Sequence, residues 1–213
     1  MIFGGIYSSM RQAIKGPAVV DGKKLYIYPE QYEGQECNPL IFCTGPVPAQ
    51  QVEPLIPWLM QQTGAKSFYL PSADFDENFL NLVPAAHVEG LYSWLDYYQN
   101  VDDPFSTELI NRYDILYPGD AKFTAGSACS GMFRGLRLWA AAVEEAGSLD
   151  QEDVVKALDH AKIDHGPGGP AEMVPGQHHV RMNMYIAQAR NGRFEVVENL
   201  GIIDPKECIQ GLK

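Results

Sequence analysis

Apolar and polar positions alternate between strand-like runs and helix-like stripes along the 213 residues. Ile2-Phe3-Gly4-Gly5-Ile6 is a short apolar run that passes into Tyr7-Ser8-Ser9, which predicts a buried strand and a loop. Ser8 or Ser9 is placed to cap a helix over Met10–Lys15, and Gly16-Pro17 stops it. Asp21-Gly22 predicts a turn. Strands follow over Lys24–Tyr28, ended by Pro29, and over Leu40–Thr44. Gln50–Thr63 carries Leu55, Ile56, Leu59 and Met60 on one helical face, with Gly64 as its stop and Pro57 as a kink. Ser67–Leu70 predicts a fourth strand. This alternation argues for βαβ units, hence an α/β fold of mainly parallel sheets flanked by helices.

The second half opens near Asp76, with a strand expected over Gly90–Leu95 and a helix over Ser106–Tyr117 that Pro118-Gly119 ends. Ser130–Ala146 is the longest helical pattern, with Phe133, Leu136, Trp139, Ala140 and Val143 at helical spacing. Ser148 with Gln151 three residues on forms a capping box for a further helix that turns Val154, Val155 and Leu158 inward. His165 to Pro170 reads as a loop. Asn191-Gly192, between Arg181–Ala189 and Arg193–Val197, predicts a β-hairpin.

Charge removes one class of function. Lys plus Arg number 16 against 27 Asp plus Glu, a net −11, so phosphate backbones are repelled and no nucleic-acid partner is expected. No uncharged apolar run approaches the roughly 20 residues that span a bilayer. Met1 to Gly5 has no basic n-region, so no signal peptide is read there.

Candidate chemistry gathers after the strands. Tyr28-Pro29-Glu30-Gln31 follows one strand and Tyr7-Ser8-Ser9 another. In parallel sheets ligands bind outside the carboxyl ends of the strands, so both loops can face one cleft. Their rings, hydroxyls, amide and carboxylate suit a small polar ligand; the plainer alternative is a pair of solvated loops. Cys129, just before a helix, invites a thiol-nucleophile reading, but Ser127 to Gly131 matches no nucleophile motif. His178-His179, with His160 and His165, invites a metal reading; adjacent histidines in an extended segment diverge, so no metal or other cofactor is expected. The Gly166 to Pro170 run lacks the Lys-Ser/Thr of a phosphate loop and is a turn. Cys37, Cys43, Cys129 and Cys208 are either buried thiols or disulfides of an oxidising compartment. Three connectivities exist. The Asn38-Pro39 turn brings Cys37 toward Cys43, which leaves Cys129 to pair with Cys208.

Tyr28-Pro29-x-x-Tyr32-Glu33-Gly34-x-Glu36, Thr44-Gly45-x-x-Pro48-x-Gln50-Gln51 and Ser72-Ala73-Asp74-Phe75 together resemble the amide- and urea-binding branch of type I periplasmic binding proteins. These are substrate-binding components of ABC transporters, related to the Leu/Ile/Val-binding proteins. Glu89-Gly90-Leu91-Tyr92, His178-His179 and Phe194-Glu195-Val196-Val197 extend the resemblance over almost the whole chain. The resemblance implies a two-lobe α/β fold, with residues 1–75 as part of the first lobe and 76–213 as part of the second, each lobe lacking its opening units.

It also implies a non-enzymatic role: capture of a small amide, urea or branched-chain amino-acid-like solute in the periplasm, with an ABC permease as partner. A cytoplasmic amide sensor that controls amidase expression is the alternative; a Cys129-dependent enzyme is the more distant one. The ligand set implied is Tyr7, Ser8, Ser9, Tyr28, Glu30, Gln31 and Phe75, the last standing where the amide sensor carries a tyrosine. Loss of opening strands would leave unpaired sheet edges, so self-association is a further expectation.

Overall fold

The computed structural model describes residues 1–69, 75–118 and 125–209. Three short strands, β1 (Ile2–Phe3), β2 (Tyr26–Tyr28) and β3 (Ile41–Cys43), lie parallel and in sequence order. Helix α1 (Ser8–Ile14) follows β1, and α2 (Pro48–Thr63) follows β3. Two short helices, α3 (Glu77–Leu80) and α4 (Ala85–Val88), lead to β4 (Tyr92–Leu95), and then come α5 (Pro104–Leu116), α6 (Ser127–Ala146) and α7 (Gln151–Leu158). The chain closes with strands β5 (Lys162–Ile163), β6 (Ala171–Val174), β7 (His179–Arg190) and β8 (Arg193–Ile203).

Strand β7 organises the sheet. Its first residues lie parallel to β3 and antiparallel to β6, its later residues pair with β4, and β8 runs beside it from Met182 to Arg190. The expected α/β class and the parallel β1–β2–β3–β7 run are present; the antiparallel pairs are those of β7 with its hairpin partners and β4, and of β5 with β6. Register shifts at Met184/Tyr185 and Ile186/Ala187 sit where β7 passes from β6 to β4. Such bulges bend a strand and raise its twist, which lets one strand serve two half-sheets. The hairpin turn has positive φ at both Asn191 (52°) and Gly192 (76°), the conformation that Asn-Gly was expected to supply.

The core follows this division. Helices α6 and α7 cover the first half-sheet, where Leu138, Ala142, Val154 and Leu158 meet Leu25, Ile27 and Phe42. Residues from both sides of position 75 thus share one packing unit. In the second half-sheet, side-chain alternation sends Trp94 and Ile186 to α2, against Leu55 and Leu59, and Leu95, Tyr185 and Ala187 to the opposite face with Leu80 and Val88.

Several expectations are corrected. Ser8 and Ser9 lie inside α1 rather than capping it, because the preceding Tyr7 already has extended backbone. Gly16-Pro17 does not stop the helix; residues Lys15–Asp21 continue it as wider π-type turns, which accommodate a proline that donates no N–H. Asp150, not Ser148, caps α7, its carboxylate accepting from the Glu152 N–H at 2.9 Å. Gln151 instead bridges to the Lys23 carbonyl (2.7 Å) and the Leu25 N–H (2.9 Å), tying α7 to β2. Ser67 to Tyr69 form no strand, and Tyr69 is 89% exposed. Leu70 lies outside the described residues.

The inward face of α6 is rotated from the expected one. Ser127, Ser130, Gly131, Arg134, Gly135, Leu138 and Ala142 are buried, whereas Leu136 is 47% exposed. Small residues explain the rotation. A Cβ on Gly131 would lie 2.0 Å from the Pro29 carbonyl oxygen, and one on Gly135 would lie 2.8 Å from the Phe3 ring, so the helix backbone rests directly on the strand ends.

The expected Cys37–Cys43 and Cys129–Cys208 pairing is overturned. Cys37 bonds Cys208, with Cα atoms 5.6 Å apart across 171 residues of sequence, while Cys43 and Cys129 are free thiols. Cys43 points into the buried face of β3 beside Tyr28 and Tyr32 and does not meet the loop that carries Cys37.

Two outcomes are expected in urea denaturation. Gly131→Ala should lower stability by about 1–3 kcal/mol, because the added methyl has no room against backbone. Replacing both Cys37 and Cys208 with Ala should cost about 2–4 kcal/mol by relaxing the unfolded chain.

Candidate functional site

The parallel strands β1 and β2 end side by side, and their loops form one wall of a cleft of about 300 Å³. Ile6, Tyr7, Glu30 and Gln31 line that wall. Asp76, Asn78, Phe79 and Leu82, in and around α3, line the other, and Ser127 and Ala128 at the start of α6 close the floor. A larger cavity, about 620 Å³, lies elsewhere, at the tip of the β7–β8 hairpin.

Of the residues expected to bind ligand, Tyr7, Glu30 and Gln31 come together here. Glu30 is half-buried and accepts from the Gln31 N–H at 3.1 Å. Gln31 is buried, and its side-chain carbonyl accepts from Gln51 Nε2 at 2.6 Å, so α2 orients it. The others are placed differently. Tyr28 is fully buried and donates its hydroxyl to the Ile6 carbonyl (2.9 Å), while Tyr26 does the same to Gly4 (3.0 Å); both phenols brace the turn that carries Tyr7. Ser8 donates to Glu33 (2.6 Å) and accepts from Arg11 (3.2 Å), outside the cleft. Ser9 is exposed and does not line it. Phe75 packs against Phe79 and Phe194 in the core beneath α3, away from the cleft surface. Ser72, Ala73 and Asp74 of the same motif lie outside the described residues.

Two buried networks hold the walls. Arg11 lies between the rings of Tyr28 (4.9 Å) and Tyr32 (4.2 Å) and pairs with Glu33 at 3.0 Å and Glu36 at 3.8 Å. Burial works against its charge, but Glu33 outweighs that and its pKa stays above the usual value. Beneath the cleft, Asp96 accepts from Arg134 (2.6 Å), Ser127 (2.7 Å) and Ser130 (2.5 Å), and Arg134 also donates to the Thr44 carbonyl at 2.7 Å. The side chains of α3 and the Asp96–Arg134 network were missed in the sequence. Hydrophobic periodicity does not register buried ions and serines, and Asp76-x-Asn78 reads only as a helix cap, which it also is, accepting from the Asn78 and Phe79 N–H groups.

The histidines and thiols stand apart from the cleft. His178 stacks on Phe42 at 4.3 Å and pairs with Asp159 at 3.3 Å. His179 is buried; its Nδ1–H donates to the Gln177 carbonyl (2.6 Å), which leaves Nε2 to accept from the Tyr32 hydroxyl (2.5 Å). Burial lowers its pKa to about 4. Cys129 falls within the first turn of α6, and burial pushes its thiol up, the reverse of what a nucleophile needs. No helix among the described residues is long and apolar enough to cross a membrane.

A family model described as periplasmic binding protein matches residues 70–193, and one described as periplasmic binding protein domain matches residues 1–76. No curated protein matches the chain. Solved structures share the fold at low identity. An amino acid ABC transporter substrate-binding protein from Pseudomonas fluorescens superposes with a TM-score of 0.71 at 16% identity, over 96% of this chain and 78% of that one. A leucine-binding protein from Thermotoga maritima gives 0.70 at 12%, over 96% and 79%. An R. palustris ABC-transporter solute-binding protein in complex with benzoate gives 0.64 at 16%, over 95% and 77%.

His179 generates a pH prediction. Its folded pKa lies below the ordinary 6.5, so the unfolded chain takes up the proton first and stability falls as pH drops from about 6.5 toward 4. The loss from this group should total about 3 kcal/mol. Glu77 shifts the opposite way, its pKa raised to about 7 by burial. The difference between the wild-type and His179→Gln unfolding profiles therefore isolates the histidine: the variant should lack this part of the acid loss.

Proposed function

The chain belongs to the periplasmic binding protein family, and on that premise we propose that it captures a small polar solute in the cleft at the ends of β1 and β2 and presents it to an ABC permease. The observation that carries this reading is the meeting of Tyr7, Glu30 and Gln31 with the first turn of α6 around one cavity. The two walls differ in chemistry. Glu30 accepts hydrogen bonds from N–H groups, while the N-terminal end of the 20-residue α6 carries positive dipole suited to a carbonyl oxygen. An amide or urea presents both edges, and the apolar Ile6, Phe79 and Leu82 accommodate a short hydrocarbon. The related structures in complex with benzoate and the leucine-binding protein mark aromatic acids and amino acids as the competing solute classes.

The Cys37–Cys208 bond favours an oxidising compartment, and with it the periplasmic solute receptor over the cytoplasmic amide sensor. The raised thiol pKa of Cys129 argues against the thiol-enzyme alternative.

Calorimetry with urea, propionamide, leucine and benzoate tests the proposal. A member of the amide class should bind, and Glu30→Ala should weaken it by roughly ten- to a hundredfold through loss of a charge-assisted hydrogen bond. Thermal stability should be nearly unchanged, since Glu30 sits on a loop at the cleft. Equal affinity of both proteins, or no binding of any of the four, would count against it.

A further inference from the structure

The Cys37–Cys208 bond lies within reach of solvent: Cys37, on the loop after β2, is exposed, and Cys208, on the tail beyond β8, is half-buried. Exposed or strained disulfides are the labile ones. The backbone around this bond is strained. Of the six non-glycine residues with positive φ among the described residues, three flank it: Gln35 (67°), Lys206 (53°) and Cys208 (55°). That region is disfavoured for a residue with a Cβ and persists only where surrounding contacts impose it.

Few other contacts hold the tail. Within residues 204–209 only Pro205 and Glu207 are buried. The ion pairs of Asp204 with Arg181 (3.0 Å) and of Lys206 with Glu53 (2.8 Å) are open to solvent and contribute little. Glu207 is the firm point. It accepts from the Gln35 N–H (2.5 Å) and Gln35 Nε2 (2.9 Å), and its own N–H donates to the Gln177 side chain at 2.8 Å. A Cβ on Gly34 would lie 2.6 Å from Glu207 Oε1, so the tail is pressed against the loop. That loop is continuous with the cleft wall. Gln31 lines the cleft, Glu33 holds Arg11 of α1, and Glu36 accepts from Lys15 at 2.7 Å, while Gln35 between the two glutamates is the residue that Glu207 grips.

We infer that the Cys37–Cys208 bond is a redox latch: its reduction by a dithiol frees the tail beyond β8 and loosens the cleft wall that carries Glu30 and Gln31. The consequence for solute capture rests on that cleft being the solute site. In the exchange, a thiolate of the dithiol bonds to one cysteine sulfur as the S–S bond breaks, and the other sulfur leaves as a thiolate. The second thiol of the reductant then displaces the first cysteine. The dithiol ends as a disulfide, and its two protons pass to Cys37 and Cys208. Without the bond, the left-handed residues relax and Glu207 withdraws from Gln35. Solute affinity should then fall about fivefold or more, the usual scale of coupling between two sites.

Hydrogen exchange of the intact protein, read by mass spectrometry before and after dithiothreitol, tests the latch. Peptides covering residues 31–36 and 204–209 should exchange about tenfold faster or more once the bond is reduced, while β7 keeps its protection. Cys37→Ser combined with Cys208→Ser should exchange like the reduced protein and ignore dithiothreitol, since Cys43 and Cys129 are already thiols. Calorimetry with propionamide should show the weaker binding in the reduced state. The inference is overturned if either peptide keeps its rate on reduction, or if β7 loses protection together with the tail, which would make the bond a staple of the whole fold. It is overturned equally if propionamide binds both states alike. Failure of propionamide to bind the oxidised protein counts against the amide reading of the cleft, and the exchange rates then decide the latch by themselves.

Discussion

The buried ion pair of Arg134 with Asp96 is the contact on which the cleft depends. Removing two charges from water costs several kcal/mol per ion, and only further hydrogen bonds offset it. Ser127, Ser130 and the Thr44 carbonyl supply them. The partners come from three places in the fold: Asp96 directly follows β4, Thr44 directly follows β3, and the serines and arginine belong to α6. The network therefore fixes the end of one half-sheet to the end of the other through a single helix. The walls of the cleft are set by that junction, since Ser127 lies both in the network and on the cleft floor.

The glycines of α6 make the junction possible. The arginine reaches Asp96 and Thr44 only if its helix lies close to the strands, and Gly131 and Gly135 allow that approach against Pro29, Phe3 and Ile27. Close packing and ion pairing thus require each other. A bulkier helix face would lift Arg134 away from Asp96 and leave both charges buried without their partners.

Much of the α/β architecture was legible in the chain. The strands β2 and β3, the helix over Gln50–Thr63 and the Asn191-Gly192 hairpin all rest on local signals: apolar runs, a terminating Gly64 and a turn that requires positive φ. The failures share a cause. The buried face of α6 is made of Ser, Gly and Arg, so a pattern based on hydrophobicity rotates it toward Leu136. The run from Ser67 to Tyr69 has β propensity, but local propensity alone does not make a strand without sheet pairing, and none forms there. The disulfide joins residues 171 positions apart, a distance over which no local spacing rule operates. At the cleft, Glu30 and Gln31 were legible because a strand-ending proline precedes them. Tyr28 is turned inward, where its phenol donates to the Ile6 carbonyl, a role that spacing along the chain does not distinguish from ligand binding.

The Cys37–Cys208 bond also has a topological meaning. It converts most of the polypeptide into a covalent ring that leaves β1 and β2 outside and encloses β3 through β8. Cys208 lies just beyond β8, and Cys37 on the loop between β2 and β3, so the two sulfurs meet only after the last hairpin has docked against the first strands. Glu207 completes the docking by accepting from both the backbone and the side chain of Gln35. Closure of the ring is in this sense a proofreading step: the bond records that the most distant parts of the chain have found each other, and a chain with a misplaced hairpin would keep two free thiols.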